Sequence, residues 1–408
     1  MSGRPFLQIP GPTLVPERIV RAMSQSIIDH RGPKFAALVG EILAGLKAVF
    51  QTERGQAIVY PGSGTGGWEA AVVNTLSPGD RVLGIVNGHF SNHFCRTAAA
   101  LGIEVDRLEV PYGEGVPAGR VAERLRADST HQVRAILVVH NETSTGVTSD
   151  VLAVRRALDE ARHPALLLVD VVSSLASIDF RFDEWGVDVA LTGPQKGLML
   201  PPGLTILAAS DRAVRASQAA KCPRAYWDWG PVLERNKRGE FPYTPATALL
   251  FGLRESIAML EEEGLTEVFR RHARLAEACR RAVGALELAI LCREPRERSN
   301  TLTAVVMPPA FDSDAYIAHA NRTLDLSLGV GLGDVKGKVF RIGHLGSLNE
   351  LELLAGLAGV EMTLKSFGVP VALGAGVAAA QTYLLDTRPE AAAVGAPRGE
   401  PRPAESTR

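Results

Sequence analysis

Short hydrophobic runs recur along the first half of the chain, and polar or helix-like stretches such as 67–76 and 151–161 separate them. Runs that are apolar at every position are typical of strands buried on both faces of a parallel sheet. The pattern therefore predicts an α/β fold, with a mostly parallel sheet and helices on both of its faces. The predicted strands are 57–60, 81–86, 103–110, 134–140, 165–170, 188–192 and 204–208.

The pattern changes near Leu249, where long amphipathic helices such as 265–283 begin. A few strands follow Thr301, and a last helix is predicted at 349–367. We expect a second, smaller C-terminal α/β domain. The predicted division is an N-terminal arm (1–20), a large domain (21–260), a small domain (261–387) and a tail (388–408). The tail is rich in Ala, Pro, Gly, Arg and Glu, which predicts disorder.

Composition excludes several classes of protein. The 408 residues include 44 Lys and Arg against 45 Asp and Glu, so a nucleic-acid partner and an anionic membrane are not expected. The start of the chain has no apolar segment of the signal-peptide kind. The apolar tract 369–380 is shorter than the ~20 residues that cross a bilayer. The four cysteines lie far apart, which predicts neither a metal site nor disulfides and favours a cytoplasmic location.

A glycine-rich turn at 62–67, GSGTGG, satisfies G-x-G-x-x-G between a predicted strand and a predicted helix. A nicotinamide-dependent oxidoreductase is therefore one alternative. However, the next strand runs into Asn87 and Gly88, where a dinucleotide fold places a ribose-binding acid. The turn still predicts phosphate binding, because free N–H groups at a helix N-terminus attract anions.

Two charged residues follow later strands. Asp170 ends an apolar run, where a carboxylate is costly to bury without a cation, and Lys196 follows the strand 188–192. Pyridoxal 5'-phosphate requires a phosphate-binding turn, an acid for its pyridine nitrogen and a lysine for its aldehyde. The order of these three features along the chain predicts this cofactor.

Eight segments together resemble the class V pyridoxal-phosphate aminotransferases, and within them the serine–glyoxylate and alanine–glyoxylate group. The resemblance extends over about 6–385 and implies a fold type I pyridoxal-phosphate-dependent transferase. The segments are 10–13 (PGPT), 29–33 (DHRGP), 64–69 (GTGGWE), 139–147 (VHNETSTGV), 182–188 (FDEWGVD), 192–197 (TGPQKG), 242–245 (PYTP) and 338–346 (KVFRIGHLG).

The resemblance implies a role for each matching residue. Lys196 forms the Schiff base and Asp170 holds the pyridinium, so these two are the expected catalytic residues. The α-carboxylate of the substrate is expected to bind Arg341. The other expected cofactor-binding residues are Ser63, Gly64 and Thr65 at the phosphate, Phe90 and Val172 against the ring, Thr143 near its phenolic oxygen or the substrate, and Gln195, Tyr243 and Thr244. The other expected substrate-binding residues are Gly11, His30 and Arg31.

The resemblance also implies a homodimer, with a tetramer as the alternative, in which Thr244, His30 and Arg31 complete the neighbouring site. Two positions depart from the pattern. Phe241 stands where relatives often have a tyrosine for the phosphate, so either Tyr243 replaces that hydroxyl or one bond is missing. Pro194 stands where a serine is frequent, and it removes one backbone donor.

We therefore expect a transaminase that moves the amino group of a small amino acid to glyoxylate, giving glycine and a 2-oxo acid. Serine, which gives hydroxypyruvate, is the first choice of donor. Alanine–glyoxylate and aspartate–glyoxylate transamination are the alternatives. A cysteine desulfurase-like lyase needs a loop cysteine, and the surroundings of Cys292 do not resemble that loop.

Overall fold

The computed structural model describes residues 5–388, which form two main β-sheets flanked by helices and one small two-stranded sheet. The strands are β1 (Phe6–Gln8), β2 (Gln56–Pro61), β3 (Arg81–Val86), β4 (Glu104–Glu109), β5 (Val133–Val139), β6 (Asn141–Glu142), β7 (Val147–Thr148), β8 (Leu166–Asp170), β9 (Val189–Thr192), β10 (Leu204–Ala209), β11 (Ala289–Ile290), β12 (Leu302–Val306), β13 (Leu326–Val330) and β14 (Val339–Gly343).

The α-helices lie between these strands and after the last of them. They are α1 (Glu17–Met23), α2 (Pro33–Phe50), α3 (Gly64–Thr75), α4 (His89–Ala100), α5 (Ala118–Ala127), α6 (Val151–Glu160), α7 (Asp211–Ala219), α8 (Trp229–Asn236), α9 (Thr247–Glu263), α10 (Leu265–Ala285), α11 (Ser313–Leu324), α12 (Glu350–Phe367) and α13 (Ala375–Asp386).

The large sheet has seven strands in the order β2-β10-β9-β8-β5-β3-β4. All are parallel except β10, which is antiparallel to both of its neighbours. Alternate residues of the central strands pack on opposite faces. Leu167 and Val169 of β8 belong to the core beneath α2, α5, α6 and α9, whereas Leu166 and Leu168 belong to the core beneath α3, α4, α7 and α8. The predicted α/β fold, with helices on both faces, is confirmed.

The smaller sheet has the order β1-β13-β14-β12-β11. Its β1 comes from the N-terminal arm and runs parallel to β13, with Phe6 opposite Leu326. The arm is therefore tied to the C-terminal part of the chain before it passes the large sheet. The apolar tract 369–380 leads into α13, where Ala380 packs in the core of this sheet with α10 and α12. The exact domain bounds remain a prediction, and 389–408 lie outside the described residues.

Candidate active site

Four loops meet at one edge of the large sheet. β2 leads into the turn that opens α3, β3 into the turn that opens α4, β8 ends at Asp170, and β9 leads into the loop of Lys196. These four strands run in the same direction, so their carboxyl ends lie at a common edge. That edge is where open α/β sheets bind ligands. The topology therefore brings the expected phosphate turn, acid and lysine together.

Lys196 lies directly against the N-terminal arm. Its Nζ donates a hydrogen bond to the carbonyl of Pro10, and the N–H of Thr13 donates to the Gln195 carbonyl at 3.1 Å. Gly11 has φ +98°, and a Cβ built there would lie 2.7 Å from the Lys196 Nζ. Desolvation and the positive charge of Arg341 lower the pKa of Lys196 to about 7. A neutral amine is therefore accessible near neutral pH, as a nucleophile and general base requires.

Asp170 is a buried carboxylate with two hydrogen-bond donors. The Trp68 indole Nε1 donates to Oδ2 at 2.7 Å, and the N–H of Val172 donates to Oδ1 at 2.8 Å. Desolvation raises the pKa of Asp170 to about 6, although both hydrogen bonds oppose the increase. A nearby cation would favour the ionised form, and a protonated pyridine nitrogen is such a cation.

The phosphate turn opens α3 at the end of β2. The Ser63 Oγ caps the helix by accepting the N–H of Gly66 at 3.2 Å, and both Ser63 and Thr65 are exposed. Gly64 is buried, and a Cβ built there would lie 2.8 Å from the Val172 Cγ2. The glycine thus lets the first turn of α3 approach the loop after Asp170. A side chain at this position would keep the two apart.

Tyr243 lies against β2, the strand that leads into the phosphate turn. The Tyr243 hydroxyl donates to the Val59 carbonyl at 2.5 Å, and its ring stacks on Tyr60 with centroids 5.8 Å apart. The hydroxyl proton of Tyr243 is therefore used in the bond to β2, and the hydroxyl oxygen can only accept further hydrogen bonds. Phe241 packs against Tyr243 at 5.6 Å between ring centroids. The replacement of the missing hydroxyl by Tyr243 remains a prediction, and Thr244 is exposed.

Arg341 is buried, with 7% of its surface exposed, on β14 of the smaller sheet. Its Nη1 donates to the Thr143 carbonyl at 2.7 Å, and its Nε donates to the Val330 carbonyl at 2.9 Å. The Thr143 hydroxyl donates to the Ser173 Oγ at 2.7 Å. Desolvation lowers the pKa of Arg341 to about 10, and the negative charge of Glu142 opposes that shift. Arg341 remains a cation at neutral pH, and backbone carbonyls hold it in place.

His30 and Arg31 lie apart from this group within the described chain. Arg31 is exposed, and its N–H donates to the Asp29 Oδ1 at 3.0 Å. The His30 Nε2 is buried and has no hydrogen-bond partner among residues 5–388. Neither residue is joined to Lys196 by a hydrogen bond in that part of the chain. Their substrate roles stay predictions that depend on a second subunit.

Comparison with known proteins identifies the family. The model described as "Aminotransferase class-V" matches residues 6–323. The chain belongs to this family. It is 48% identical over 387 residues to the L-aspartate–glyoxylate aminotransferase of Paracoccus denitrificans, covering 95% of this chain and 98% of that protein. It is also 48% identical over 383 residues to the serine–glyoxylate aminotransferase of Arabidopsis thaliana, covering 94% and 96%.

The same likeness extends to solved structures. The ureidoglycine–glyoxylate aminotransferase of Bacillus subtilis superposes with a TM-score of 0.87 at 25% identity, over 94% of this chain and 99% of that chain. The predicted fold type I, the transaminase activity and the pyridoxal phosphate cofactor are therefore confirmed for this class-V aminotransferase. The nicotinamide alternative is not supported by these relatives.

The residues at the edge of the sheet fit this cofactor. At neutral pH Asp170, with a pKa of about 6, is mostly ionised and can hold a pyridinium. Lys196, with a pKa of about 7, is partly neutral and can react with the aldehyde. The Gln195 Oε1 is buried without a hydrogen-bond partner within residues 5–388, so this amide is available to a ligand. Phe90 and Val172 are both partly buried and pack against the same core as Trp68.

Trp68, Ser173 and Glu142 have no role that the sequence predicts, although each contacts an expected site residue. Trp68 holds Asp170, Ser173 holds Thr143, and Glu142 accepts the N–H of Phe90 at 3.3 Å. Trp68 and Glu142 stand in segments that carry the family resemblance, which was the available signal. Their partners lie far along the chain or in a neighbouring turn, so spacing alone could not reveal the contacts.

Other candidate chemistry is weaker. Desolvation raises the pKa of Cys292 to about 11, so this buried thiol is protonated and a poor nucleophile. Within residues 5–388, no group of three or more His, Cys, Asp or Glu side chains could hold a metal ion. None of the helices in that range has the length and hydrophobicity needed to cross a bilayer.

Proposed function

We propose that this class-V aminotransferase transfers the amino group of serine to glyoxylate, giving glycine and hydroxypyruvate. The observation that carries the proposal is the charge of the site. Among residues 5–388, Arg341 is the only buried arginine, and Lys196 is the lysine expected to bind the cofactor. A single buried guanidinium matches the α-carboxylate that all donors share. Apart from Lys196, the described residues offer no second buried cation for the side-chain carboxylate of aspartate.

The roles of the residues follow from their positions. Pyridoxal phosphate, when bound, supplies an aldehyde for the amino group and an electron sink for the Cα–H bond. Asp170 keeps its carboxylate at the ring nitrogen, because Trp68 and Val172 orient both oxygens. Lys196, whose pKa is about 7, would bind the aldehyde and, once released, would act as the base that moves the proton of the donor's Cα–H bond. Arg341 orients the donor so that its Cα–H faces Lys196.

Aspartate is the second candidate donor, because the Paracoccus relative named for aspartate matches as closely as the Arabidopsis relative named for serine. Its side-chain carboxylate would need Arg31 of a neighbouring subunit. In this chain, Arg31 is exposed.

The test compares donors in the half-reaction. The visible absorbance of the bound cofactor is followed after mixing with serine, alanine or aspartate at equal concentrations. We expect serine to react fastest. A tenfold preference for aspartate, which is about 1.4 kcal/mol in transition-state energy, would replace the serine assignment with aspartate.

Two variants make the comparison specific. Arg341→Lys should weaken all three donors to a similar extent, because one ammonium cannot grip a carboxylate in two parallel bonds. Arg31→Ala should leave the serine rate unchanged. A selective loss of aspartate reactivity in Arg31→Ala would show that Arg31 binds the second carboxylate.

We also propose a homodimer and a cytoplasmic location. The dimer proposal is supported by the exposure of Arg31 and Thr244, two residues whose expected partners belong to a neighbouring site. Exposed apolar side chains near the start of the chain, Val20 at 48% and Ile27 at 69%, also favour a covered surface. The cytoplasmic proposal rests on the cysteine pattern, since all four cysteines are free and buried.

A further inference from the structure

Glu142 is a carboxylate with no exposed surface, and it lies beside the expected cofactor face. Its Oε2 accepts the N–H of Ser91 at 2.9 Å, and its Oε1 accepts the N–H of Phe90 at 3.3 Å. The same Oε1 also accepts the N–H of Ser144 at 3.1 Å and the Ser144 hydroxyl at 2.7 Å. Both oxygens are therefore occupied by donors, and two of the four come from the first turn of α4.

The position of the first turn of α4 matters because it carries Phe90. A carboxylate at a helix N-terminus is favoured by the partial positive charge there, so Glu142 fixes where α4 begins. The packing of this turn against Glu142 is tight, since a Cβ on Gly88 would lie 2.7 Å from the Ser144 Oγ and closer still to Glu142. A change at Glu142 must therefore move the first turn of α4.

The next residue along the chain holds the substrate arginine. The Thr143 carbonyl accepts the Arg341 Nη1 at 2.7 Å. One dipeptide, Glu142–Thr143, thus contacts the stacking element through a side chain and the carboxylate-binding cation through its backbone. The negative charge of Glu142 also acts on Arg341, where it raises the pKa against the effect of desolvation.

We propose that Glu142 is a positioning residue that sets the place of Phe90 over the cofactor and the orientation of Arg341 toward the substrate carboxylate. The inference rests on the transaminase function and on the roles expected for Phe90 and Arg341. It does not depend on which amino acid is the donor.

A second buried glutamate supplies the matched control. Glu361 is 3% exposed, and its carboxylate accepts the N–H groups of Gly374 and Val377 at 2.6 Å each, at the start of α13. It lies on α12, which packs against the smaller sheet, and it contacts none of the site residues through these bonds. Glu142 and Glu361 therefore share the capping role, but Glu142 alone is joined to the site.

The experiment compares Glu142→Gln with Glu361→Gln in the full chain. A glutamine keeps the shape but replaces one acceptor oxygen with an NH₂ that faces N–H donors, so both variants should lose some thermal stability. Binding of pyridoxal phosphate to the apoprotein is titrated by its visible absorbance, and KM and kcat are then measured for the active donor. We expect Glu142→Gln to bind the cofactor about tenfold more weakly and to raise the donor KM, with Glu361→Gln near wild type in both.

A merely structural role would give a different result. If the two variants lose similar stability and Glu142→Gln keeps the wild-type cofactor Kd and donor KM, the proposal is overturned. Should Glu142→Gln fail to fold, Ser144→Ala removes one donor to Glu142 and must shift the cofactor Kd in the same direction. An unchanged Kd in that variant also overturns the proposal. The cofactor titration needs no donor, so an error in the serine assignment cannot imitate either outcome.

Discussion

The indole Nε1 of Trp68 donates a 2.7 Å hydrogen bond to the Oδ2 of Asp170, although the two residues lie far apart in the sequence. The bond stabilises the ionised carboxylate and opposes the rise in pKa that desolvation causes, so that the pKa of Asp170 is about 6. Trp68 thus keeps Asp170 ready to hold a protonated ring nitrogen. The indole also stacks on Phe94, with ring centroids 5.8 Å apart, which fixes its orientation.

We expect Trp68→Phe to raise the pKa of Asp170 further, because the phenyl ring has no donor. A hydrogen bond to a charged group contributes about 1.5 to 3 kcal/mol, so transamination should fall roughly tenfold or more. Since the ionised acid is the active form, the acid limb of the pH–rate profile should move to higher pH.

Asp170→Asn should lower the rate by orders of magnitude with some cofactor still bound.

Trp229→Phe is the control for the loss of packing. Trp229 is fully buried in the same core as Trp68, and its Nε1 has no hydrogen-bond partner among residues 5–388. This variant removes an indole without removing a bond to Asp170. If Trp68→Phe and Trp229→Phe have the same pH–rate profile, the Trp68 hydrogen bond does not tune the acid.

Lys196 gives a prediction about pH and stability. Its pKa is lowered to about 7 in the folded apoprotein, below the ordinary value of 10.5. Between these two pH values the unfolded chain binds the proton and the folded chain does not, so the free energy of unfolding rises with pH. Each pH unit in that interval contributes at most about 1.4 kcal/mol. The cost of the buried charge is complete below pH 7, and it disappears above 10.5.

Lys196→Ala should therefore abolish transamination, remain folded, and gain stability relative to wild type as the pH falls from 9.5 to about 7. Chemical denaturation of the apoproteins at several pH values measures this difference. Lys34→Ala, which removes an exposed lysine, should show no such pH-dependent difference. A constant difference between Lys196→Ala and wild type would mean that the pKa of Lys196 is not lowered. Undiminished turnover in Lys196→Ala would remove the lysine from the mechanism.

Gly11 gives the third prediction. An alanine Cβ at this position would lie 2.7 Å from the Lys196 Nζ, so Gly11→Ala must displace either the arm or the lysine. We expect kcat to fall at least tenfold because the catalytic group is misplaced. A tenfold decrease corresponds to about 1.4 kcal/mol in activation free energy. Steady-state kinetics with the active donor measure the effect.

Gly79→Ala separates this contact from backbone strain. Gly79 has φ +84°, close to the +98° of Gly11, and a Cβ there would have no atom within 4 Å. Both alanine variants carry the strain of a positive φ, about 1 to 2 kcal/mol. Only Gly11→Ala should change kcat. Equal kinetics in the two variants would mean that the arm does not constrain Lys196.

The sequence by itself determined the layered α/β fold and the order of the chemistry along it. Strands such as β8 are apolar at every position because both faces of the sheet are covered, and such runs are visible locally. The positions of Asp170 and Lys196 at or after the ends of apolar runs were equally visible. They predicted that the two residues lie close together, because the carboxyl ends of parallel strands meet at one edge. The antiparallel direction of β10 was not visible, since an apolar run has the same composition in either direction.

Tertiary structure alone decided which groups touch at that edge. Three contacts each join residues from distant parts of the chain. They are the hydrogen bond from Arg341 to the Thr143 carbonyl, the bond from Trp68 to Asp170, and the contact between the arm and Lys196. No periodic pattern in the sequence indicates that Glu142 is buried or has a partner. Its proposed role depends on its contact with the first turn of α4, which forms only in the folded chain. Such contacts form only when the two sheets and the arm pack together, because desolvation and hydrogen bonding act between spatial neighbours, whereas periodicity reports local structure.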